Sequence, residues 1–343
     1  MVIRMKHRVR LDFAMLAFVL CLGVAQKLQA QITLTNTGHI PTAGETHGVA
    51  VSGGIVFVAE GSAGLHIYDV SNPTNVISLA STNTAGTAWS VALASNCLCV
   101  ANLDDGLRLY DISNPSNIVA LGHTNNGGLA VSVTVYGHYA YLANDRDGLR
   151  IYDLTNPANP TNVGHGINPN LQDGLAYAVA VAGNYAYVAN GRDGVRIYDV
   201  SNVTNPIAVG YAPNSNNVSG YANGIAVSGN YLYVANNHDG LRFFDVSNPA
   251  SPTNIFWTPI NNTDADPIGM TAYSNYVFVA DWDTNLRVFN VSNLSNIVEI
   301  SYPTSFMGYF DPTKAFPEFT AVTSNRVYTA WHRDGLRIYS YGP

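Results

Sequence analysis

The sequence has few charged residues and very little cysteine. Only 11% of its 343 residues are Asp, Glu, Lys or Arg, and only three are Cys. Two of these, Cys97 and Cys99, lie two positions apart on one predicted strand. Their side chains then point the same way but lie too far apart for a disulfide. We therefore expect a pair of core thiols.

The chain also lacks the sequence patterns of several enzyme classes. It contains no phosphate-binding glycine loop, no zinc-ligand spacing, no serine nucleophile elbow and no redox cysteine pair. We therefore expect neither a metal nor a cofactor from motifs, and an enzymatic function would have to use residues that no motif identifies.

The N-terminus differs in composition from the rest of the chain. A basic start (Arg4, Lys6, Arg8, Arg10) precedes an apolar run from Phe13 to Val24, which is shorter than the roughly 20 residues of a membrane-spanning helix. This pattern predicts a signal peptide over residues 1–30, with cleavage after Ala30 preferred over Ala25. The mature chain, residues 31–343, is then secreted, periplasmic or associated with the cell surface, without a membrane span.

Removal of residues 1–30 makes the remaining chain more acidic. It would carry 11 Lys and Arg against 22 Asp and Glu, a net charge of −11. Such a charge disfavours nucleic acid as a partner.

One phrase, Ile67-Tyr68-Asp69-Val70-Ser71-Asn72-Pro73, recurs along the chain with small changes. Seven copies are recognised by their third position: Asp69, Asp111, Asp153, Asp199, Asp245, Asn290 and Ser340. Repeats 42 to 50 residues apart are typical of a β-propeller, in which each copy forms one four-stranded blade. The sequence thus predicts an all-β, seven-bladed propeller of antiparallel blades as one domain over residues 31–343.

The second copy illustrates the predicted strands, which are Trp89–Ala94, Cys97–Ala101, Leu107–Asp111 and Asn117–Gly122. In five copies an Asp-Gly pair, such as Asp105-Gly106, separates strands two and three, and it predicts a tight two-residue hairpin turn. The Asp of the Asp-x-Ser-Asn-Pro phrase predicts a side-chain-capped turn after strand three.

The last copy ends before a fourth strand, whereas the mature chain begins with an unassigned strand-like segment, Gln31 to Thr35. Pairing this segment with the last copy would complete blade seven. It would also remove two open sheet edges, so we expect the ring to close in this way.

The recurring Val-Ala, Asp-Gly-Leu-Arg and Ile-Tyr-Asp-Val-Ser-Asn-Pro segments resemble the LVIVD repeat of bacterial and archaeal surface or secreted propellers. The resemblance covers residues 31–341. It implies the propeller architecture and an exported location, but no activity that could be assigned to particular residues.

A register arginine precedes an aromatic residue by two positions in six copies, as in Arg108 and Tyr110. Both side chains should share one face of the blade, which predicts a cation–aromatic or between-blade contact. Because nearly every copy has this arginine, blade packing explains it better than a ring of anion-binding sites.

Two sets of aligned positions vary between copies. The residue after strand two is Asn in copies two to five but differs in copies one, six and seven, where it is Glu60, Asp281 and Trp331. The residue at the start of the innermost strand of each copy should border the mouth of the central channel. In copies one to seven these channel-entry residues are His47, Trp89, Val131, Tyr177, Asn223, Ile268 and Glu318.

Because copies six, seven and one are neighbours in a ring, these departures suggest a ligand site at their junction. The candidate stacking residues are Trp282, Trp331 and Tyr309, the last on the longest connection, which leads into copy seven. The candidate polar residues are Glu60, Asp281, His47, His332 and Glu318. The alternative is that the terminal blades vary freely because they meet at the closure.

Three functions remain open from the sequence. A binding module for carbohydrate or a surface protein fits aromatic and acidic residues on one face. A polysaccharide hydrolase or lyase would need an acid–base pair, such as His47 with Glu318 or Glu60 with Asp281. A structural cell-surface component would need neither. Aspartate-rich turns such as Asp145-Arg146-Asp147 would suit calcium, although turn formation explains them more simply.

Overall fold

A computed structural model describes residues 32–42, 44–125, 127–168, 174–214, 220–258, 266–282, 285–301 and 316–342. Over these residues the chain forms seven antiparallel sheets of four strands each, together with a single 3-10 turn at Asn237–Asp239. The predicted signal peptide and Tyr309 lie outside the described residues.

The strands are numbered in chain order, beginning with β1 (Thr33–Ile40). Blades one and two contain β2 (Gly48–Ser52), β3 (Ile55–Ala59), β4 (Leu65–Asp69), β5 (Ile77–Thr82), β6 (Ser90–Ala94), β7 (Cys97–Ala101), β8 (Leu107–Asp111) and β9 (Val119–Thr124). Blades three and four contain β10 (Ser132–Tyr136), β11 (Tyr139–Ala143), β12 (Leu149–Asp153), β13 (Thr161–Gly166), β14 (Ala178–Ala182), β15 (Tyr185–Ala189), β16 (Val195–Asp199) and β17 (Ile207–Ala212). Blades five to seven contain β18 (Gly224–Ser228), β19 (Tyr231–Ala235), β20 (Leu241–Asp245), β21 (Thr253–Thr258), β22 (Pro267–Tyr273), β23 (Tyr276–Asp281), β24 (Asn285–Asn290), β25 (Val298–Ser301), β26 (Pro317–Val322), β27 (Arg326–Trp331) and β28 (Gly335–Gly342).

The first strands of the blades form a closed inner ring. Each contacts the first strand of the next blade, in the order β2, β6, β10, β14, β18, β22, β26 and back to β2. The second and third strands are the most buried, because the apolar residues on both of their faces pack against neighbouring blades. The fourth strands carry more exposed residues and form the outer rim. The predicted seven-bladed propeller is confirmed.

The closure of the ring is also confirmed. Strand β1 pairs antiparallel with β28, from Thr33 opposite Gly342 to Ile40 opposite Leu336, and so supplies the outer strand of blade seven. It is longer than the predicted Gln31 to Thr35. Apolar residues of blades seven and one, including Val58 and Ile338, form one shared core cluster behind this closure.

A glycine on several outer strands allows adjacent blades to approach closely. The third and fourth strands slip register at a bulge, for example between Ile197 and Tyr198. Opposite this bulge, a Cβ built on Gly210 would lie 1.9 Å from the carbonyl oxygen of Pro249 in the next blade. Only glycine fits at this position, because any side chain would collide with that carbonyl group. The bulge of one blade can therefore pack against the turn of the next blade.

The predicted turn after strand three is confirmed. The backbone N–H of Ser71 donates to Asp69 Oδ1 over 2.9 Å, and the same bond recurs at Asp111, Asp153, Asp199 and Asp245. Asn290 forms this bond in blade six.

The predicted two-residue Asp-Gly turn is wrong. In blade two the connection runs over residues 102–106, and Asp105-Gly106 forms only its end. Gly106 has a φ of +85°, and its carbonyl accepts a hydrogen bond from the N–H of Asn102. Glycine is needed for that positive φ, whereas the aspartate is used for the side-chain contacts described below.

Two smaller predictions concern strand bounds and cysteines. Strands β7 and β8 have the predicted bounds, whereas β6 begins one residue later than predicted and β9 begins and ends two residues later. Cys97 and Cys99 are buried free thiols, as expected.

Within the described residues we find no helix with the length and apolar character that crossing a membrane requires.

Candidate functional site

One face of the propeller carries the loops that join strands two and three and the residues that lead into the first strands. The two kinds of segment meet between blades: Gly61 of blade one pairs with Ala88 at the entry to blade two, and Leu103 with Ala130 repeats the contact. Blade seven joins blade one through the N–H of Thr46, which donates to the carbonyl of His332 over 2.9 Å. Loop residues of one blade thus lie beside the channel-entry residues of the next.

In blades two to five the residue after strand two belongs to a repeated polar network. In blade four, Asn190 Nδ2 donates to Asp193 Oδ2 over 2.8 Å, and Arg196 pairs with both carboxylate oxygens of Asp193. The same Asn, Asp and Arg arrangement recurs around Asp105, Asp147 and Asp239.

The register arginines also contact aromatic rings. Arg196 lies 4.4 Å from the ring centroid of Tyr211, which belongs to the outer strand of the same blade. In blade six, Arg287 lies 5.0 Å from the ring of Phe289, two residues further along its own strand. A charged pair plus a ring contact within one blade therefore accounts for these arginines.

Blade one forms the equivalent network with different residues. Ala63 replaces the loop aspartate and His66 replaces the arginine, so the negative charge comes from Glu60 instead. Glu60 is fully buried, and its Oε2 lies 2.8 Å from His66 Nδ1, while Tyr68 donates to Oε1 over 3.2 Å. The hydrogen bond to Glu60 raises the pKa of His66, although burial opposes this.

Blades six and seven contain further variants of this network. Buried Asp281 lies 3.2 Å from Arg287, which also forms a bidentate pair with Glu299 at 2.7 and 2.8 Å. In blade seven, Trp331 is 2% exposed, and the centroid of its ring lies 4.4 Å from Cζ of the Arg337 guanidinium group. Three predicted ligand residues, Glu60, Asp281 and Trp331, are therefore buried parts of blade structure.

Three of the remaining candidates lie together with two further aromatic residues at the mouth of the channel. We call this set the aromatic row: Trp282, Phe316, His332, His47 and Trp89. Ring centroids are 4.2 Å apart between Trp282 and Phe316, and 4.7 Å apart between Phe316 and His332, both pairs being stacked. His332 meets His47 edge-on at 5.3 Å, and His47 stacks on Trp89 at 3.9 Å. The row crosses four blades, from six through seven and one to two.

Carboxylates border the two histidines of the row. His47 Nδ1 donates to Glu318 Oε2 over 2.7 Å, and both residues are buried. Glu318 Oε1 lies 3.9 Å from His332 Nε2, and Glu45 Oε2 lies 3.5 Å from the same nitrogen. Glu45 Oε1 also lies 3.6 Å from Arg333 Nη2, and both of these side chains are about half exposed.

Burial lowers the pKa of His332, against the opposing effect of Glu318 and Glu45.

Comparison with known proteins agrees with the architecture. The model of a family described as "LVIVD repeat" matches six segments, residues 43–84, 85–125, 127–165, 173–212, 219–257 and 269–304, which together make up more than half of the chain. The chain belongs to the LVIVD-repeat family. The matched segments correspond to blades one to six of this LVIVD-repeat protein, while blade seven is assembled from the two ends of the chain.

Solved structures share the fold of this LVIVD-repeat protein at low sequence identity. The computationally designed Ika8 protein is 8% identical, with a TM-score of 0.64, covering 89% of this chain and 99% of that one. The RRP9 WD40 repeats are 12% identical, with a TM-score of 0.66, covering 92% and 98%. No curated protein sequence matches the chain.

Part of this candidate site in the LVIVD-repeat protein could be predicted from its sequence. The predicted residues His47, Trp282, Glu318 and His332 lie close together there. The residues not predicted for the site are Glu45, Trp89, Phe316 and Arg333. Glu45 and Phe316 each lie two residues before the aligned channel-entry residue of their blade, so extending the aligned positions by two residues would have identified them.

The turn suggested for calcium is used for other contacts. Both carboxylate oxygens of Asp147 pair with Arg150, and Oδ2 also accepts from Asn144. These contacts favour the turn-forming role of that aspartate.

Proposed function

We propose that this protein is an exported carbohydrate-binding module, with its site at the channel mouth where blades six, seven and one meet. The observation that carries the proposal is the aromatic row with two half-exposed charged residues, Glu45 and Arg333, beside it. A propeller fold with LVIVD repeats supports a binding or interaction module in general.

The chemistry of the channel mouth suits a sugar. The apolar face of a pyranose ring packs on Trp or Phe, and its hydroxyl groups hydrogen-bond to carboxylate and guanidinium groups. Trp89 is partly exposed at one end of the row, and Arg333 and Glu45 offer donors and acceptors close to His332. Apolar and polar contacts are thus available within one small area.

Binding fits this geometry better than catalysis. A general base must reach the proton that it removes, but His47 is only 1% exposed. The other acid pair considered for an enzyme, Glu60 with Asp281, belongs to the internal networks of two separate blades.

A glycan array with the purified protein tests the carbohydrate proposal. We expect a restricted set of oligosaccharides to bind, and Trp89→Ala to reduce the signal at least tenfold through the loss of a stacking surface. Trp257→Ala is the matched control, because Trp257 is a half-exposed tryptophan on the outer strand of blade five. Absence of binding to every glycan, or equal loss in both variants, would count against a sugar site and favour a protein partner or a structural role.

Export is a separate part of the proposal and rests on the sequence of residues 1–30. Expression of the full chain in a bacterial host, followed by N-terminal sequencing of the protein recovered outside the cytoplasm, should give Gln31 as the first residue. Recovery of the intact N-terminus only in the cytoplasm would contradict export.

A further inference from the structure

Three metal-ligating side chains converge beside the aromatic row. Glu45, His47 and His332 each offer one donor atom, and these atoms all lie within 4.8 Å of one another. The residues come from two segments that a backbone hydrogen bond from Thr46 to His332 ties together. The cluster is therefore built across the junction of blades seven and one.

The three donor atoms would bind a small cation if they moved slightly closer together. Donor atoms at 2.0–2.1 Å from a tetrahedral zinc ion lie about 3.3 Å from one another. Glu45 Oε2 and His332 Nε2 are already 3.5 Å apart. Because the Glu45 side chain is about half exposed, rotation about its own bonds can bring its carboxylate closer to His47 without moving the backbone.

The buried Glu318 orients one of the ligands. As a carboxylate it accepts the Nδ1 proton of His47 over 2.7 Å, which leaves Nε2 as the imidazole atom with a free lone pair. Metal-bound histidines commonly donate their second N–H to a carboxylate in this way, and the bond fixes the tautomer and ring orientation. His47 stacking on Trp89 restricts the ring further.

The donor set indicates which class of cation fits. Two imidazoles and one carboxylate suit zinc and neighbouring transition metals, whereas calcium prefers six to eight oxygen ligands. Three protein ligands leave at least one coordination position for water or for an oxygen of a bound ligand.

We propose that Glu45, His47 and His332 bind a divalent transition metal such as Zn²⁺, with Glu318 as the residue that positions His47. This goes beyond the proposed carbohydrate function and does not depend on it. The metal would stabilise the junction of blades seven and one and present an open coordination position at the channel mouth.

Calorimetric titration of Zn²⁺ into the chelator-treated full chain tests the proposal. We expect one ion per chain, at least tenfold weaker binding in Glu45→Gln, and at least hundredfold weaker binding in His332→Ala. Glu318→Gln should weaken binding ten- to hundredfold, as other carboxylates that orient a metal-bound histidine do. The matched controls are Asp104→Asn and His138→Ala, which alter an exposed carboxylate and an exposed imidazole elsewhere.

Co²⁺ in place of Zn²⁺ gives a spectroscopic readout, since its visible absorption should report nitrogen and oxygen ligation and disappear in His332→Ala. Lack of Zn²⁺ uptake by the wild-type chain, wild-type affinity in Glu45→Gln, or tighter binding of Ca²⁺ than of Zn²⁺ would overturn the proposal. Because Glu45 is exposed, Glu45→Gln decides the question even if His332→Ala fails to fold. A chain that binds Zn²⁺ but no glycan refutes only the carbohydrate proposal.

Discussion

The aspartate that ends the third strand of most blades is stabilised as a carboxylate. Hydrogen bonds from the side chain and backbone of Ser71 lower the pKa of Asp69, and Asp111, Asp153, Asp199 and Asp245 show the same direction through their own turns. A depressed pKa in the folded state means that protonation weakens the fold. Stability from these turns is complete above the unfolded pKa of about 3.9 and is lost as pH falls below it.

Replacing all five aspartates with asparagine should make the protein less sensitive to acid. Asparagine accepts the same backbone bond, as Asn290 does naturally in blade six, but it does not titrate. We expect the melting temperature of the five-site variant to fall less than that of the wild type between pH 5 and pH 3, as measured by circular dichroism. An unchanged acid sensitivity would show that these turns do not contribute to it.

At the scale of the blade, one polar network is built in more than one way. The negative charge comes from the loop aspartate in blades two to five, but from Glu60 in blade one, where His66 takes the place of the arginine. The position after strand two is therefore coupled to two other positions of the same blade. A departure from the repeat at one position is compensated at the others.

Exchanging the blade-one network for that of blade four tests this coupling. Glu60→Asn alone should destabilise the protein by about 1–3 kcal/mol, because it removes a charged partner of His66 and the acceptor of Tyr68. Adding Ala63→Asp and His66→Arg recreates the Asn, Asp and Arg set and should recover most of that loss. Equal stability of the single and triple variants in urea unfolding would contradict the coupling.

The wild type and the triple variant should also differ in the pH dependence of their stability, as measured by urea unfolding between pH 6 and pH 8. Because the folded pKa of His66 is raised above 6.5, its pairing with Glu60 is complete below that value and is lost as pH rises through the folded pKa. The triple variant carries an arginine at this position and should not show that loss.

The architecture could be predicted from the sequence because its signals are local and repeated. Each Asp-x-Ser-Asn-Pro phrase specifies a turn by the chemistry of adjacent residues, and the phrase occurs often enough to count blades. The Asp-Gly loop was predicted wrongly because the favoured partners of Asp105 are Asn102 and Arg108, and these require a longer loop than a two-residue turn.

The candidate site could be predicted only in part. His47 and Glu318 are 271 positions apart, and the ring topology alone indicated that they are neighbours. Whether an exceptional residue faces the channel mouth or the blade interior depends on contacts that no local pattern encodes. For this reason Trp331 and Glu60, both departures from the repeat, proved to be buried in their own blades.

At the scale of the whole molecule, the ring depends on the pairing of its two ends. Strand β1 pairs with β28 from Leu336 to Gly342, and without it β28 would be an open edge that invites association with other chains. The junction closed by this pairing is also the junction that carries Glu45, His47 and His332.

Deleting residues 32–40 should therefore destabilise the protein by on the order of 5 kcal/mol, from several backbone hydrogen bonds at about 1 kcal/mol each, and should promote oligomers in size-exclusion chromatography. A peptide of residues 32–42 added in trans should restore the melting temperature in a concentration-dependent manner, whereas a scrambled peptide should not. A deletion variant as stable and monomeric as the wild type would refute this role of β1.

The central claim, a carbohydrate site at the junction of blades six, seven and one, is tested most directly by a pair of arginine variants. Arg333 and Arg192 occupy equivalent exposed positions in the loops of blades seven and four. The measurement is the affinity of Arg333→Ala and of Arg192→Ala for the oligosaccharide that binds most strongly on the array. We predict at least a tenfold loss in Arg333→Ala and wild-type affinity in Arg192→Ala. Equal affinities in the two variants would contradict the claim.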